Sequence, residues 1–446
     1  MDSIFLKKIF FDVFKKKKSK KNLLCWLILF GGSAWGQTPL TLEQSVERAL
    51  QQNIDVQKKA IDLATTGYAA NHLWSEVFPT ISGSLGVGYG SALFTGDGFK
   101  HEDKNLTYSM SLGVNLSLNA GLPYTMKMIS LAYQTSLLTY ENARRQLEIQ
   151  VSKSFYSLAA EQDRLALLRE TLDLAEKQRE RSRISFQNGI IPQRDYLQSQ
   201  LSTETAKLAL SKAQSSYAAA LREFLTLLGL DNSAEVTLIG SIEISRISAD
   251  PETLILTYLA KRPDIISQRQ TIERLEYTQS RTTLTNRGPS LSVSAQWSGS
   301  GNADKSSTFT DNLRGSVSVS IPIDSWIPGT KNYQSIKTAG AEVEKAKLDL
   351  QNTENTAKNQ IRSLIANLEN FWSTIEIDEL RVSIADETFK LTEQAFQRGA
   401  AEFLTLEDAR NKLTEARQQL LADKLSYKQA LLDLAGALNL SWEEFS

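Results

Sequence analysis

The stretch Leu106–Leu118, LTYSMSLGVNLSL, places an apolar residue at every second position and a small or polar residue between them. Successive side chains of a β-strand point to opposite faces of a sheet, so this period of two predicts a strand with one apolar and one polar face. Segments near residues 80–90, 290–298 and 313–323 show the same alternation. The sequence therefore predicts four two-faced strands.

Two kinds of sheet use this alternation. Strands of about 9–11 residues that are apolar outside and polar inside are typical of a transmembrane barrel. A half-buried sheet in a soluble protein follows the same pattern. The polar positions here are mostly serine and glycine, which favours the barrel, although the strands alone leave both interpretations open. Four strands are too few to close a barrel around a water-filled lumen, so a barrel would require several chains.

Long helices follow each pair of strands. Residues from Tyr124 to Gln187 include no proline or glycine, which predicts one helix of roughly 95 Å at 1.5 Å per residue. A matching helix is predicted from about Thr330 to Gln397. Apolar residues recur in both at steps of three and four, so the helices must pack lengthwise as coiled coils, within the chain or between subunits.

The chain contains two copies of one pattern at a spacing of about 210 residues. Phe186-Gln187-Asn188-Gly189 returns as Phe396-Gln397-Arg398-Gly399, and each copy reads helix, strand, strand, long helix, break, helix. We expect a first structural repeat at 37–230, a connector at 231–250, a second repeat at 251–440 and a C-terminal tail at 441–446.

Residues 1–36 predict an export signal. A lysine-rich flank, Lys15–Lys21, precedes the apolar run Leu23–Phe30, which is too short to span a bilayer as a helix. Small residues follow, and we expect cleavage near Gly36. The alternative is a basic helix that lies on a membrane surface.

The composition argues against nucleic-acid binding and against catalysis. Residues 37–446 hold 42 basic and 49 acidic side chains, so no electrostatic attraction to nucleic acid is expected. Cys25 is the only cysteine, and it follows Leu24 rather than the small residue that a lipoprotein signal needs. The histidines are His72 and His101, and no phosphate-binding glycine motif occurs. We therefore expect no enzyme activity, no cofactor and no metal site.

These motifs, in this order and spacing, resemble the TolC-like outer membrane efflux proteins from Leu40 to Leu440. The resemblance is carried by the segments 42–53 (LEQSVERALQQN), 261–265 (KRPDI), 186–196 and 396–406. It implies a mainly α fold with a small β part, in which long antiparallel coiled-coil helices join four transmembrane strands per subunit. Three subunits would share one 12-stranded barrel.

The same resemblance implies a function. The homotrimer would be a passive exit duct of a tripartite efflux pump or a type I secretion system, for small molecules or polypeptides. It would sit in the outer membrane lipid with its helices in the periplasm, and would dock onto an inner-membrane pump through a periplasmic adapter. Two alternatives stay open: a periplasmic coiled-coil structural or adapter protein without a pore, and a soluble α+β enzyme.

The resemblance also assigns roles to single residues. The turns at Gly189 and Gly399 would form the periplasmic tip that the adapter contacts; glycine ends a helix readily in the left-handed conformation. Asp195 matches an acidic residue that helps to hold the tip closed, and Phe396 replaces a tyrosine of that latch. Ala401 stands where the family's best-known member has an arginine, so a latch based on charge is not expected.

A pore constriction is implied on the helix after the second turn. Asp408 matches one of two acidic rings, and Thr405 replaces the other. Three aspartates brought together by threefold symmetry would repel anions and bind cations, so one ring predicts weaker block by multivalent cations than two. The alternative for Asp195 and Asp408 is an ordinary solvated position near a helix start, where acids are favourable anyway.

Overall fold

The computed structural model describes residues 38–92, 102–232, 234, 236–302 and 309–440. The chain divides into two compact units, of which the larger comprises Leu40–Ala234 and Leu238–Ser446. In the smaller unit, the described residues 38–39 and 236–237 belong to two paired strands, β1 (Thr38–Leu40) and β4 (Val236–Leu238). The predicted signal at 1–36 and the tail at 441–446 lie outside the described residues.

The larger unit is built mainly from helices. Their bounds are α1 (Leu42–Gln52), α2 (Ile54–Asn71), α3 (Leu122–Gln187), α4 (Gln193–Leu227), α5 (Pro251–Tyr258), α6 (Pro263–Arg287), α7 (Lys331–Gln397) and α8 (Phe403–Leu438). Helices α3 and α7 have 66 and 67 residues. At 1.5 Å per residue each is about 100 Å long. Each is followed by a shorter helix, which gives a first hairpin, α3–α4, and a second hairpin, α7–α8.

Four strands form one antiparallel sheet in the order β2-β3-β5-β6, namely β2 (Thr80–Ala92), β3 (Glu102–Asn119), β5 (Ser290–Asn302) and β6 (Thr310–Ser320). The sequence interpreted residues 91–105 and 299–312 as exposed loops. That was wrong at their ends, because the strands continue to Ala92 and Asn302 and resume at Glu102 and Thr310. Ladder hydrogen bonds extend strands beyond the point where alternation of apolar residues stops. The residues between, 93–101 and 303–308, lie outside the described part of the chain.

Apolar stripes hold each hairpin together, as helical packing requires. In the first hairpin Leu165 and Leu168 of α3 pack with Ala213 of α4. In the second hairpin α7 and α8 share a larger core, which also contacts α5. Its buried residues include Ile255, Ile361, Leu368, Ile375, Tyr427 and Leu434. Both interiors are therefore apolar.

The two repeats close in the same way at their ends. Asn53 caps the start of α2 and donates its side-chain amide to the Leu227 carbonyl at 3.1 Å. Arg262 caps the start of α6 and donates to the Ala437 carbonyl at 3.0 Å. Leu227 and Ala437 are separated by the repeat spacing. The KRPDI segment thus ties the start of α6 to the end of α8, and Arg262 also pairs with Asp264 at 2.7 Å.

Candidate functional site

The two hairpin turns have the same backbone geometry. Gly189 has φ +69° and Gly399 has φ +73°, the left-handed region that glycine enters without steric cost. Behind each glycine, a backbone N–H reaches five residues back, from Ile190 to the Ser185 carbonyl and from Ala400 to the Ala395 carbonyl, both at 2.8 Å. Nothing lies within 4 Å of a Cβ added to either glycine, so the backbone angle alone requires glycine there.

An aromatic pair braces each turn. In the first turn the rings of Phe186 and Tyr196 stack at 5.6 Å between centroids. In the second turn Phe396 and Phe403 meet at 6.2 Å in an edge-to-face arrangement. Such pairs contribute about 0.5–1.5 kcal/mol beyond their area burial. Each pair joins the last turn of one helix to the first turn of the next.

The predicted latch residues have local partners in this chain. Asp195 lies in the first turn of α4 and pairs with Arg194, at 3.0 Å between Nε and Oδ1. Phe396 packs on Phe403, as described above. Both contacts stay within a single turn, and a latch that joins Asp195 to Phe396 stays a prediction.

The predicted constriction residues lie on the exposed side of α8. Thr405 and Asp408 are both exposed. Asp408 pairs with Lys412 one helical turn later, at 2.7 Å between Oδ2 and Nζ. A hydrogen bond and the negative charge of Asp408 raise the pKa of Lys412 above its ordinary value. A ring of three Asp408 carboxylates would therefore be accompanied by three lysines, which weakens its negative field.

A buried polar cluster that the sequence interpretation missed lies near the turns. This Arg410 cluster consists of Ser202 on α4 and Glu407 and Arg410 on α8. Arg410 Nη2 donates to Ser202 Oγ at 2.7 Å and to Glu407 Oε1 at 2.6 Å, and Ser202 Oγ contacts the same carboxylate oxygen. The charged side chains are only 10% and 12% exposed. The cluster therefore joins the first hairpin to the second through desolvated charges.

The available signal for this cluster was positional. Leu406, Ala409 and Leu413 lie on the buried stripe of α8, and Arg410 falls on the same face. A charged residue on an apolar stripe needs a partner, because an unpaired buried charge is costly. Within the described residues, Glu407 Oε2 and Arg410 Nε are buried without a hydrogen-bond partner. The sequence could reveal the anomaly but not that Ser202 contacts it.

Further polar contacts join the two hairpins. Arg417 of α8 reaches Asp386 of α7 at 3.0 Å and Glu170 of α3 at 3.4 Å. Arg181 of α3 lies 3.9 Å from Glu393 of α7. Contacts of this kind are partly solvated and individually weak. In this part of the molecule the hairpins are thus apolar inside and meet each other through polar groups.

The sheet has one apolar and one polar face, and the apolar face is uncovered in a single chain. Leu85 is 82% exposed, and Leu313 is 75% exposed. On the other face serine hydroxyls pair across the strands at 2.8 Å. These pairs are Ser84–Ser111, Ser290–Ser320 and Ser294–Ser316.

Aromatic residues border the apolar face at both ends. Trp297, Tyr108 and Phe309 pack together at the end away from the helices. At the opposite end Trp74 and Phe78 meet just before β2, and Trp326 follows β6. Aromatic girdles of this kind are typical of a surface that passes through the two interfaces of a membrane.

None of the helices in the described ranges is both long enough and apolar enough to cross a membrane. Among the same residues, no three histidine, cysteine, aspartate or glutamate side chains are grouped closely enough to bind a metal ion.

Paired long helices combined with a two-faced sheet define the class of outer membrane channel proteins, and the comparisons with known proteins agree. The sequence profile of the outer membrane efflux protein family matches residues 45–230 and 254–440. The chain belongs to this family. The two matched segments correspond to the two copies of the pattern seen in the sequence.

Individual relatives support the assignment. The chain is 23% identical over 418 residues to the probable efflux pump outer membrane protein TtgC of Pseudomonas putida KT2440, covering 90% of this chain and 84% of that one. The antibiotic efflux pump outer membrane protein ArpC of Pseudomonas putida matches to the same extent. The Campylobacter jejuni CmeC outer membrane channel has the same fold, with a TM-score of 0.71, 17% identity and 94% of both chains covered. The Vibrio cholerae outer membrane protein VceC gives a TM-score of 0.68 at 15% identity, with 91% of this chain and 97% of that one covered.

Proposed function

We propose that the protein is the outer membrane channel of an efflux pump, a passive duct formed by three copies of this chain. The observation that carries the proposal is the sheet, whose apolar face is uncovered and bordered by aromatic residues. A soluble protein rarely leaves an apolar surface of that extent in water, whereas lipid would cover it favourably. The polar face would line the lumen.

A trimer follows from edges and faces that one chain leaves unpartnered. Strands β2 and β6 are the outer strands of the sheet, and closure into a barrel requires neighbours for both. Exposed apolar residues also line helices of both hairpins: Leu197, Leu201 and Leu208 on α4, and Ile377, Leu380, Ile384 and Leu391 on α7. The stripes begin at equal distances from Gly189 and Gly399. A stripe of one subunit would therefore meet a stripe of the next at the same level.

The remaining parts of the duct are assigned from the family. We place the barrel in the outer membrane and the hairpins in the periplasm, with the turns at Gly189 and Gly399 against a periplasmic adapter that connects to an inner-membrane pump. Asp195 and Phe396 would contribute to a closed tip, and Asp408, with Thr405 beside it, would line the constriction. The chain offers no catalytic constellation in its described residues, so the energy would come from the pump.

The cargo is proposed from the relatives. Those relatives are named for toluene and antibiotic efflux, which supports small apolar or amphipathic molecules. Export of polypeptides by a type I secretion system is the second possibility within the same duct. A periplasmic coiled-coil adapter without a pore is the alternative from another class, and it would leave the apolar sheet face without a partner.

Fractionation and conductance test the proposal together. We expect the protein in the outer membrane fraction, a trimer by mass in mild detergent, and discrete conductance steps after insertion into planar lipid bilayers. A water-soluble monomer that forms no channels would contradict the duct and favour the adapter.

A further inference from the structure

The polar face of the four-stranded sheet is almost free of charge. Across all four strands, its described side chains are serine, threonine, asparagine, glutamine and glycine, with one exception. The exception is Arg314 in β6. A sheet face that is merely solvated would usually carry several charged residues of both signs.

The strand register places Arg314 on this face. It pairs with Gln296 of β5, which pairs with Gly113 of β3, which in turn pairs with Ser82 of β2. Directly paired residues of an antiparallel sheet share a face, so this row extends across the sheet with a single charge at its end. Arg314 is exposed and, among the residues that the structure describes, has no hydrogen-bond or ion-pair partner.

The nearest carboxylate along β6 does not neutralise it. Asp311 lies an odd number of residues away and therefore faces the other side of the sheet. There it accepts a hydrogen bond from Trp297 Nε1 at 3.2 Å. The positive charge of Arg314 thus remains uncompensated on the polar face.

We propose that Arg314 is a selectivity residue of the duct: three copies form a ring of cations that makes the barrel lumen favour anionic solutes. The inference rests on the proposed function, because it needs three chains around one lumen with the serine face inward. Arginine suits this role since its guanidinium stays charged at every physiological pH and binds carboxylate or phosphate groups through two hydrogen bonds.

The size of the barrel makes the ring effective at low salt. Twelve strands at about 4.8 Å spacing and a tilt of about 40° give a backbone radius of about 12 Å. The Debye length is about 10 Å at 0.1 M salt and about 3 Å at 1 M. The field of the ring therefore reaches most of the lumen at 0.1 M and is screened at 1 M.

The ring acts independently of Asp408. Arg314 precedes α7 and Asp408 follows it, so the two positions are separated by a helix about 100 Å long. That length is about ten Debye lengths at 0.1 M salt. An anion-favouring barrel and a cation-binding constriction would then be two filters in series.

Reversal potentials of single channels in a KCl gradient test the ring. The variants are Arg314→Lys, which keeps the charge, Arg314→Gln, which removes it, and Arg314→Glu, which reverses it. Each is also measured with Asp408→Asn, so that the constriction does not mask the barrel. Near 0.1 M we expect Arg314→Glu to shift the potassium-to-chloride permeability ratio about twofold to fivefold toward potassium, with Arg314→Gln between and Arg314→Lys unchanged.

The shift should shrink near 1 M KCl, as screening requires. Channels of normal conductance whose reversal potential is the same for all four residues at position 314 would overturn the ring and leave the proposed duct intact. A wild-type protein that forms no channel would overturn the duct and the ring with it.

Discussion

At the scale of single residues, the Arg410 cluster is the most consequential feature near the hairpin turns. Two opposite charges are buried between the hairpins, and each keeps one polar atom without a partner in the described structure. Buried ion pairs add little net stability compared with apolar residues of similar size, but removing one partner is costly. Such a cluster therefore fixes how α8 sits on α4 more than it strengthens the fold.

Substitution of Arg410 should show this asymmetry. We expect Arg410→Met to destabilise the protein by about 3–5 kcal/mol, because it leaves Glu407 buried and unpaired. The double variant with Glu407→Leu should recover most of the loss. Thermal melting in detergent measures both, and Lys412→Gln, which breaks the exposed pair with Asp408, is the control with an effect below about 1 kcal/mol. Equal losses in the single and double variants would contradict a cost that arises from the unpaired charge.

Asp378 predicts how stability changes with pH. A hydrogen bond with Asp423 and burial raise the pKa of Asp378 above its ordinary value of 3.8, and the ion pair with Arg381 only partly offsets them. The folded protein therefore holds a proton that the unfolded chain releases, so this contribution is lost as pH rises from 3.8 through the raised pKa. We expect Asp378→Asn to raise the melting temperature most at about pH 8 and least at about pH 4.

The matched control is an aspartate with the opposite shift. A hydrogen bond from Lys390 and its charge, together with Arg417, outweigh desolvation and hold the pKa of Asp386 below its ordinary value. Its contribution is present above pH 3.8 and is lost as pH falls through the lowered pKa. Asp386→Asn should therefore lower the melting temperature at neutral pH. The same sign for both variants at about pH 8 would refute this interpretation.

At the scale of elements, helix ends and strand faces carry the information. Each long helix ends at a glycine with positive φ, and each strand separates an apolar from a polar face. Both features repeat in the two halves of the chain. They specify where the backbone reverses and which surface meets lipid.

Alanine at the turn glycines should cost stability. Gly189→Ala and Gly399→Ala force a side chain into the left-handed region, at a cost of about 1–2 kcal/mol each, although there is space for the methyl group. Gly340 lies inside α7, where alanine is the better helix former, so Gly340→Ala should stabilise by up to about 1 kcal/mol. Unfolding of the detergent-solubilised variants by denaturant would check the two opposite signs, and a stabilised Gly189→Ala variant would rule out the turn geometry.

Adjacent residues of β2 should tolerate charge very differently. Leu85 belongs to the apolar face, so Leu85→Arg should cost about 2–4 kcal/mol in lipid and reduce insertion. Ser84 lies on the polar face, where its hydroxyl pairs with Ser111, and Ser84→Arg should insert almost normally. The amount of each variant in the outer membrane fraction measures the difference. Equal amounts would argue against lipid contact on the apolar face.

At the scale of the whole molecule, the chain leaves much of its apolar surface for other copies to cover. Besides the sheet, the exposed stripes on α4 and α7 are of the length and spacing that coiled coils use. A helix pair with one uncovered apolar stripe is stable only when a further helix packs against it. Assembly is then part of folding for this protein.

One charge on the α7 stripe should separate the subunits. We expect Ile384→Glu to convert trimers to monomers or aggregates, because it would bury a carboxylate without a partner between helices. Ser383→Glu, one position around the helix and also exposed, is the matched control and should leave the trimer intact. Native mass spectrometry in detergent distinguishes these results. Trimers of normal stability from Ile384→Glu would move the subunit interface elsewhere.

The sequence by itself determined the fold class, the family and the turn glycines. Alternation in Leu106–Leu118 and the long helical periodicity are local signals, because side-chain direction follows from backbone geometry over a few residues. Only the tertiary structure decided that Ser202 meets Glu407 and Arg410, and that β3 pairs with β5 from the other repeat. These partners are almost 200 residues or more apart. Which of many similar helix faces and strand edges meet is set by the packing of the whole chain rather than by local preference.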